Sequence, residues 1–169
     1  MTGVQTCALP IFPSAGALYP LDIYVLACTV KSLESGLYHY NVRDHALEEL
    51  KQGDFLQSII PLIQNSNNFW LKQAGLILFV TATFRRNQMK YGERGYRGVL
   101  LDAGHLAQNI QLAATGLGLG ACVLMGCMDD PVNDFLGVDG VEESVLYAIS
   151  IGRPARQHQK NTEEDGGLS

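Results

Sequence analysis

A stretch of apolar residues at helical spacing, placed soon after a buried strand, constrains the fold of this chain most. The spacing predicts a helix from about Tyr96 to Thr115, whose apolar positions are Val99, Leu100, Ala103, Leu106, Ala107, Ile110, Ala113 and Ala114. Leu76 to Phe84 is mostly apolar and predicts a buried strand. The polar stretch between them, Arg86 to Gly95, is interpreted as a loop.

The remaining segments give the order of the elements. A run rich in β-branched and aromatic residues predicts a strand at 22–30, and alternating side chains predict a second at 36–42. Residues 46–50 are interpreted as a short third strand or the end of a meander, and further strands are expected at 121–125 and 144–151. We expect one helix to open at Asp54 as its N-cap, and another to run to Leu136 with Asp129 or Asp130 as its cap and Pro131 at the first helical position. A meander of strands followed by alternating helices and strands predicts an α+β fold.

Composition narrows the class of protein. The 169 residues suit one domain with a sizeable core, and 47% apolar against 17% charged residues is typical of a globular chain. A formal net charge of -5 argues against a nucleic-acid surface, which needs clustered Lys and Arg. No apolar run reaches the ~20 residues of a membrane span. The cysteines form no CxxC pair and accompany no His pair, which argues against a metal site and suits a reducing cytoplasm.

Both ends of the chain are expected to lie outside the domain. Residues 1–12 resemble translated sequencing adapter, so we interpret them as a non-native leader in place of the natural amino terminus. The alternative is a short native strand or tail. Residues 155–169 are polar and predict a disordered tail. The predicted domain therefore covers residues 13–154.

The glycines at 116, 118 and 120 invite comparison with a dinucleotide-binding loop. Such a loop needs a strand before the glycines and a helix after them, so that the helix N-terminus meets the pyrophosphate. Here the predicted order is helix, glycines, strand. The glycines are therefore interpreted as a helix stop and a tight turn, with Gly116 just past the end of the helix.

Lys90 and Tyr91 are the first candidates for chemistry. Side by side, a lysine and a tyrosine can supply a general base and a polarising hydroxyl. A base of either type works near neutral pH only when its surroundings depress its pKa from ~10. The alternative interpretation is a solvated loop lysine beside a half-buried aromatic side chain.

Pro13 to Pro20 is a second candidate segment, because it holds small residues between two prolines just before a predicted strand. Ser14, Gly16 and the neighbouring backbone amides can bend into an anion-binding nest. The alternative is an ordinary loop bounded by prolines.

Polar residues on the long helix give a third candidate. Asp102, His105 and Asn109 lie at i, i+3 and i+7 and so share one helix face. This spacing indicates either a stripe that contacts a ligand or a partner subunit, or a solvated face. Arg94 and Arg97 are expected to be surface charges that face Asp102 or the neighbouring glutamate.

Four segments together resemble the SagB-type dehydrogenases of the FMN-dependent nitroreductase superfamily. They are Pro13 to Pro20, Lys90 to Arg97, Leu101 to Asn109 and Val145 to Pro154. The resemblance implies a mixed, mainly antiparallel sheet flanked by helices, in a homodimer that binds FMN at the subunit interface. It also implies oxidation of azoline rings in a precursor peptide to azoles, with Lys90 as the base and Tyr91 as a polarising or relay group.

The resemblance also implies which residues bind the cofactor. Expected along the flavin and its ribityl chain are Pro13, Ser14, Ala15 and Gly16; expected near the isoalloxazine are Met125 and Gly126, and near the phosphate Arg153. Members of the superfamily usually carry an Arg-rich segment near the amino terminus that grips the phosphate. Adapter-like residues stand in its place here, so we expect the N-terminal helical region and part of the FMN site to be missing.

Two other functions stay open beside the azoline dehydrogenase. One is a generic nitroreductase or flavin reductase that uses NAD(P)H. The other is a flavin-free scaffold subunit of a peptide-modifying complex. A cyclodehydratase that forms the azolines is expected as a partner by analogy with the family.

Overall fold

The computed structural model describes residues 12–63 and 69–154, with the side chains at 69 and 70 left aside. The predicted leader, apart from Phe12, and the predicted tail lie outside the described residues. Phe12 is buried and packs edge-on against Tyr19, with 6.0 Å between the ring centroids.

A six-stranded sheet forms the centre of the described part of the chain. Its strands are β1 Leu21–Ala27, β2 Gly36–Asn41, β3 Ala46–Gln52, β4 Leu76–Thr83, β5 Gly120–Leu124 and β6 Glu143–Gly152. They lie in the order β3-β2-β1-β4-β6-β5, and each described pairing is antiparallel. The sheet and its flanking helices confirm the predicted α+β fold.

Helices cover both faces of this sheet. They are α1 Leu56–Ile59, which continues as a 3₁₀ turn over Ile60–Leu62, then α2 Phe84–Tyr91, α3 Arg94–Gly116 and α4 Asp129–Leu136. Shorter 3₁₀ turns lie at Ala15–Ala17 and Phe69–Gln73. Among the described helices, none combines the length and the apolar character needed to cross a membrane.

The alternation of side chains along β4 divides the core into two layers. Ile77 and Phe79 point to the face covered by α1 and α4. Val80 and Ala82 point to the other face, where they pack with Val99 of α3. These central side chains are fully buried. The long helix therefore lies across the sheet, and its first turns meet the end of β4.

The prediction of a loop from Arg86 to Gly95 is wrong, because α2 occupies most of that stretch. In α2 only Asn87 is buried, so no apolar stripe marks the helix in the sequence. A Cβ added at Gly95 would lie 2.7 Å from the carbonyl carbon of Asn87. The glycine thus lets α2 lie directly on the backbone of α3. This packing stabilises α2, a helix whose polar sequence gives no helical pattern of apolar residues.

The predicted end of α3 and the predicted N-caps of α4 and α1 also need correction. The left-handed residue after α3 is Gly118 (φ +72°), not Gly116, which is still helical. The amides of Gly118 and Leu119 donate to the carbonyls of Thr115 and Ala114, which is the Schellman arrangement. The glycines do end the helix, as predicted, but the left-handed residue lies two positions later than expected.

The caps predicted for α4 are likewise wrong. Its N-cap is Met128, without a side-chain cap bond, and Asp129 and Asp130 lie inside the first turn. Their carboxylates complement the positive end of the helix dipole there rather than capping an amide. The cap predicted for α1 is also wrong, because its N-cap is Phe55; the Asp54 carboxylate, one residue earlier, accepts a hydrogen bond from the amide of Leu56 at 3.0 Å.

Candidate functional site

The loop before β1 has an unusual backbone. Gly16 (φ +67°), Ala17 (φ +55°) and Tyr19 (φ +43°) all occupy the left-handed region. Residues other than glycine pay for this conformation, and such residues persist only where surrounding contacts hold them. The amide of Ala17 donates to the carbonyl of Ser14 at 3.0 Å and closes the turn.

A buried carboxylate holds this loop. Asp102 of α3 is 4% exposed and accepts a 2.6 Å hydrogen bond from the Ser14 hydroxyl. Both of its oxygens also lie 3.3 Å from the amide nitrogen of Ala15. The Ser14 hydroxyl oxygen in turn accepts from the amide of Tyr19 at 2.9 Å. These bonds engage the Ser14 hydroxyl and the amides of Ala15 and Tyr19 inside the protein, which removes them from the predicted anion-binding nest.

Of the two interpretations left open for the helix face that Asp102, His105 and Asn109 share, the solvated face is wrong at Asp102. His105 is exposed, whereas Asp102 lies beneath the loop. The sequence carried a signal for this burial, because Asp102 is three residues after Val99 and four before Leu106, both of which are on the apolar stripe. A carboxylate among such positions needs a buried partner.

The exit of the loop is tied to α2. The Arg86 guanidinium donates to the carbonyl of Tyr19 and to the carboxylate of Asp22, each at 3.1 Å. The amide of Thr83, just before α2, donates to the carbonyl of Pro20 at 2.8 Å. The loop is therefore fixed at one end to α3 and at the other to α2.

Lys90 and Tyr91 end α2 next to this loop. Both side chains are exposed, and the Lys90 Nζ lies 5.4 Å from the centroid of the Tyr91 ring. A Cβ added at Gly16 would overlap the Tyr91 hydroxyl and lie 2.9 Å from Lys90 Nζ. The structure thus brings the segment from Ser14 to Gly16 together with the Lys90–Tyr91 pair, 74 residues further along the chain. We call these residues the pair site.

Asn87 lies beneath the pair site and was missed in the sequence. Its side chain is fully buried, and within residues 12–63 and 69–154 neither its amide nitrogen nor its oxygen has a hydrogen-bond partner. A Cβ at Gly98 would lie 3.3 Å from both the Asn87 amide nitrogen and the Cβ of Ala15. A buried amide without partners is rare in folded proteins, and strain, a functional role, or a bound water or ion accounts for such a group.

The predicted phosphate contact, Arg153, lies away from the pair site. It follows β6 and lines a cleft of about 260 Å³ with Gly120, Cys122 and Ser150 among others. Strand pairing places this cleft at the start of β4, whereas α2 begins at its end. The eight residues of β4 separate the two ends by roughly 24 Å.

Among the contacts of the described residues, none joins Met125 or Gly126 to the pair site. Both residues follow β5 at the sheet edge, and the Met125 side chain is 83% exposed. The next residue, Cys127, forms a bridge with Ile63 on the α1 side of the sheet. Burial raises the pKa of the Cys127 thiol to about 11, so this thiol stays protonated near neutral pH.

The pair site has a positive rim in an acidic protein. Residues 85–97 contain five of the twelve Lys and Arg residues of the chain. Of these, Arg86 pairs with Asp22, and Arg85 lies 3.9 Å from Glu142. Arg94 and Arg97 are exposed, as predicted, on the first turns of α3.

Comparison with known proteins agrees with this architecture. The sequence profile of the nitroreductase family matches residues 8–153. A Methanocaldococcus jannaschii protein named as a nitroreductase is 32% identical over 141 residues, which are 83% of this chain and 69% of that protein. The microcin B17-processing protein McbC of Escherichia coli is 30% identical over 132 residues. These cover 76% of this chain and 48% of McbC, so the chain spans about half the length of that relative.

Solved structures show the same fold. A chain of the Escherichia coli microcin synthetase McbBCD complex, with truncated pro-MccB17 bound, superposes with a TM-score of 0.74 at 27% identity. The match covers 86% of this chain and 56% of that one. An FMN-dependent nitroreductase from Clostridium difficile matches with a TM-score of 0.56 at 23% identity, over 87% and 70% of the two chains. The profile match across most of the sequence, with the shared fold, shows that this chain belongs to the nitroreductase family.

Proposed function

We propose that the chain is an FMN-dependent dehydrogenase that oxidises azoline rings of a precursor peptide to azoles. The observation that carries the proposal is the contact of Gly16 with Lys90 and Tyr91. It joins the loop expected beside a flavin to the side chains expected to move the proton. Both groups are exposed, so a substrate can reach them.

The residues present fit a flavin at this site. Because Gly16 has no side chain, its bare backbone lies directly beside the Lys90 amine and the Tyr91 phenol, where a flavin along this loop would meet both groups. Pro13, Ser14, Ala15 and Gly16 would line the cofactor. When bound, FMN supplies the two-electron acceptor that takes the hydride from the substrate.

Side chains of the protein would accept the proton that leaves the substrate ring. Aromatising an azoline removes two hydrogens from the ring, one as hydride to the flavin and one as a proton from a ring carbon. Lys90 accepts that proton, and the Tyr91 hydroxyl polarises the ring or relays the proton. The close approach of Gly16 fixes where the two groups lie relative to the bound ring.

A peptide substrate is supported by the relatives. McbC is named for processing microcin B17, and the McbBCD complex holds a truncated precursor of that peptide. The exposed positive rim around Arg94 and Arg97 suits a long ligand that extends beyond the reacting ring. A cyclodehydratase that forms the azolines is the partner that this chemistry requires.

A homodimer with FMN between the subunits is part of the proposal. Arg153 lies at the start of β4, whereas α2 and the pair site follow its end, so a cofactor that contacts both takes them from two chains. Leu101 and Leu112 are 59% and 61% exposed and lie eleven residues apart on α3, hence on one face. A second copy packed along this face would bury both leucines.

The direct test replaces Lys90 by alanine in the protein supplied with FMN. Flavin absorbance should persist, whereas the loss of two hydrogens per ring, read by mass spectrometry on an azoline peptide, should collapse. Lys31→Ala removes another exposed lysine and should leave turnover unchanged. Unaltered turnover in the Lys90 variant would remove this residue from the mechanism.

A second candidate function is a general NAD(P)H-dependent nitroreductase or flavin reductase. It is favoured by the Methanocaldococcus jannaschii relative, of which the chain covers the larger share. That function predicts rapid bleaching of the flavin by NAD(P)H, with no effect of changes at Lys90 or Tyr91. A protein that stays colourless in excess FMN would instead indicate a scaffold subunit.

A further inference from the structure

The hydrogen bonds described for Asp102 all go to the loop, not to the Lys90–Tyr91 pair. Its carboxylate meets the Ser14 hydroxyl at 2.6 Å and the Ala15 amide at 3.3 Å. It projects from the middle of the long helix α3, which is itself fixed on the sheet by Val99 and Leu106. A carboxylate that is 4% exposed and bonded in this way ties the loop rigidly to the core.

The loop in turn determines what faces the pair. Three of its residues, Gly16, Ala17 and Tyr19, have left-handed backbone angles that would relax without restraint. The Ser14 hydroxyl links both ends of this segment, because it donates to Asp102 and accepts from the Tyr19 amide at 2.9 Å. The segment so held presents the bare backbone of Gly16 to the ends of the pair.

We propose that Asp102 is a positioning residue for the Lys90–Tyr91 pair and acts through the Ser14–Tyr19 turn that it holds. The proposal deepens the function proposed above and rests on it for the reaction whose rate is measured. Asp102 does not exchange the proton. It fixes the surface against which the amine and the phenol are placed, and a displacement of about 1 Å at such a site can cost 10²-fold in rate.

Asp102→Asn is the sharpest variant. The amide keeps the size of the side chain but offers one acceptor oxygen, and its NH₂ group would oppose the N–H donor of Ala15. Ser14→Ala removes the hydroxyl that links the two ends of the turn, and Ser14→Thr keeps it. Asp134→Asn changes an exposed aspartate on α4 and serves as the matched control.

The first readout is turnover of an azoline peptide by the FMN-supplied protein. Asp102→Asn should lower kcat by about 10²-fold with KM little changed, and the double variant with Ser14→Ala should be no slower, because both break one unit. Ser14→Thr should restore the rate that Ser14→Ala loses. A wild-type rate in Asp102→Asn, or fully additive losses in the double variant, would overturn the proposal.

The second readout does not depend on the reaction. The rate at which an acetylating ester modifies Lys90, mapped by mass spectrometry, should change in Asp102→Asn and Ser14→Ala but not in Asp134→Asn. Melting temperatures are measured in parallel to exclude global unfolding. If the wild-type protein oxidises no azoline yet the modification rates shift as stated, the proposed function fails and the role of Asp102 stands. If the rates do not shift, the role of Asp102 fails.

Discussion

Gly16→Ala tests two reasons for a glycine at this position: its left-handed backbone and its close approach to the side chains of Lys90 and Tyr91. At φ +67° an alanine is strained, and a left-handed residue with a Cβ costs about 1–2 kcal/mol. In a domain of this size that loss lowers the melting temperature by roughly 2–8 °C. The added methyl group would also overlap the Tyr91 hydroxyl and crowd Lys90 Nζ. Both groups are ends of flexible, exposed side chains, so they should move aside at little further cost in stability.

Gly118→Ala is the matched control for this variant. Gly118 has φ +72°, nearly the same backbone conformation, and an added Cβ would meet nothing within 4 Å. The two variants should therefore lose similar stability in a thermal melt followed by circular dichroism. Only Gly16→Ala should lose activity, by about 10²-fold in kcat, because only there is the pair displaced.

The assay combines the two melts with turnover of an azoline peptide by protein supplied with FMN. The reasoning is refuted if Gly16→Ala is as active as the wild type, because the pair then tolerates displacement. It is also refuted if Gly118→Ala loses activity to the same extent, because the loss then follows from backbone strain alone.

Two further predictions test other parts of the molecule. Leu101→Arg should convert a dimer into a monomer in light scattering, whereas Val141→Arg, at a residue 82% exposed in a loop, should not; a dimer that survives the first change would rule out this helix face as the interface. Burial raises the pKa values of Cys28 and Cys127 to about 11, so their thiolate fraction at pH 8 is on the order of 0.1%. Among the cysteines that the structure describes, iodoacetamide at that pH should label the exposed Cys122 before Cys28 and Cys127. Labelling of Cys28 and Cys127 should rise as pH approaches 11, and labelling equal to that of Cys122 at pH 8 would contradict their burial.

Strands β1, β4 and β6 were predictable because apolar side chains, several of them β-branched, run along most of their length. The first strand, expected at 22–30, ends at Ala27, since the amides of Cys28 and Thr29 both turn to the carbonyl of Gly75. Apolar side chains continue past that point, so the pattern alone could not show where ladder pairing stops. The order of the strands in the sheet likewise depends on contacts between distant segments.

The pair site could be predicted only in part. The catalytic roles of Lys90 and Tyr91 stay predictions from residue chemistry and family resemblance. Their placement on a helix was not predicted, because the buried position of that helix is a polar residue, Asn87. The bond between Ser14 and Asp102 spans 88 residues. Periodicity reports which side of a helix is apolar and carries no information about which loop will cover a polar residue on that side.

Three glycines, which have no side chain, permit the close contacts that form the pair site. The hydrophobic pattern of the sequence gives no sign of any of these contacts. Gly95 lets α2 rest on α3, Gly98 leaves room for Ala15 above Asn87, and Gly16 meets Tyr91. The contact at Gly95 positions α2 against α3, and the contact at Gly98 positions the loop against α3. The contact at Gly16 positions the loop against Lys90 and Tyr91. A chain with alanine at these positions would present the same apolar periodicity and the same predicted strands, yet its Lys90 and Tyr91 could not occupy their present positions.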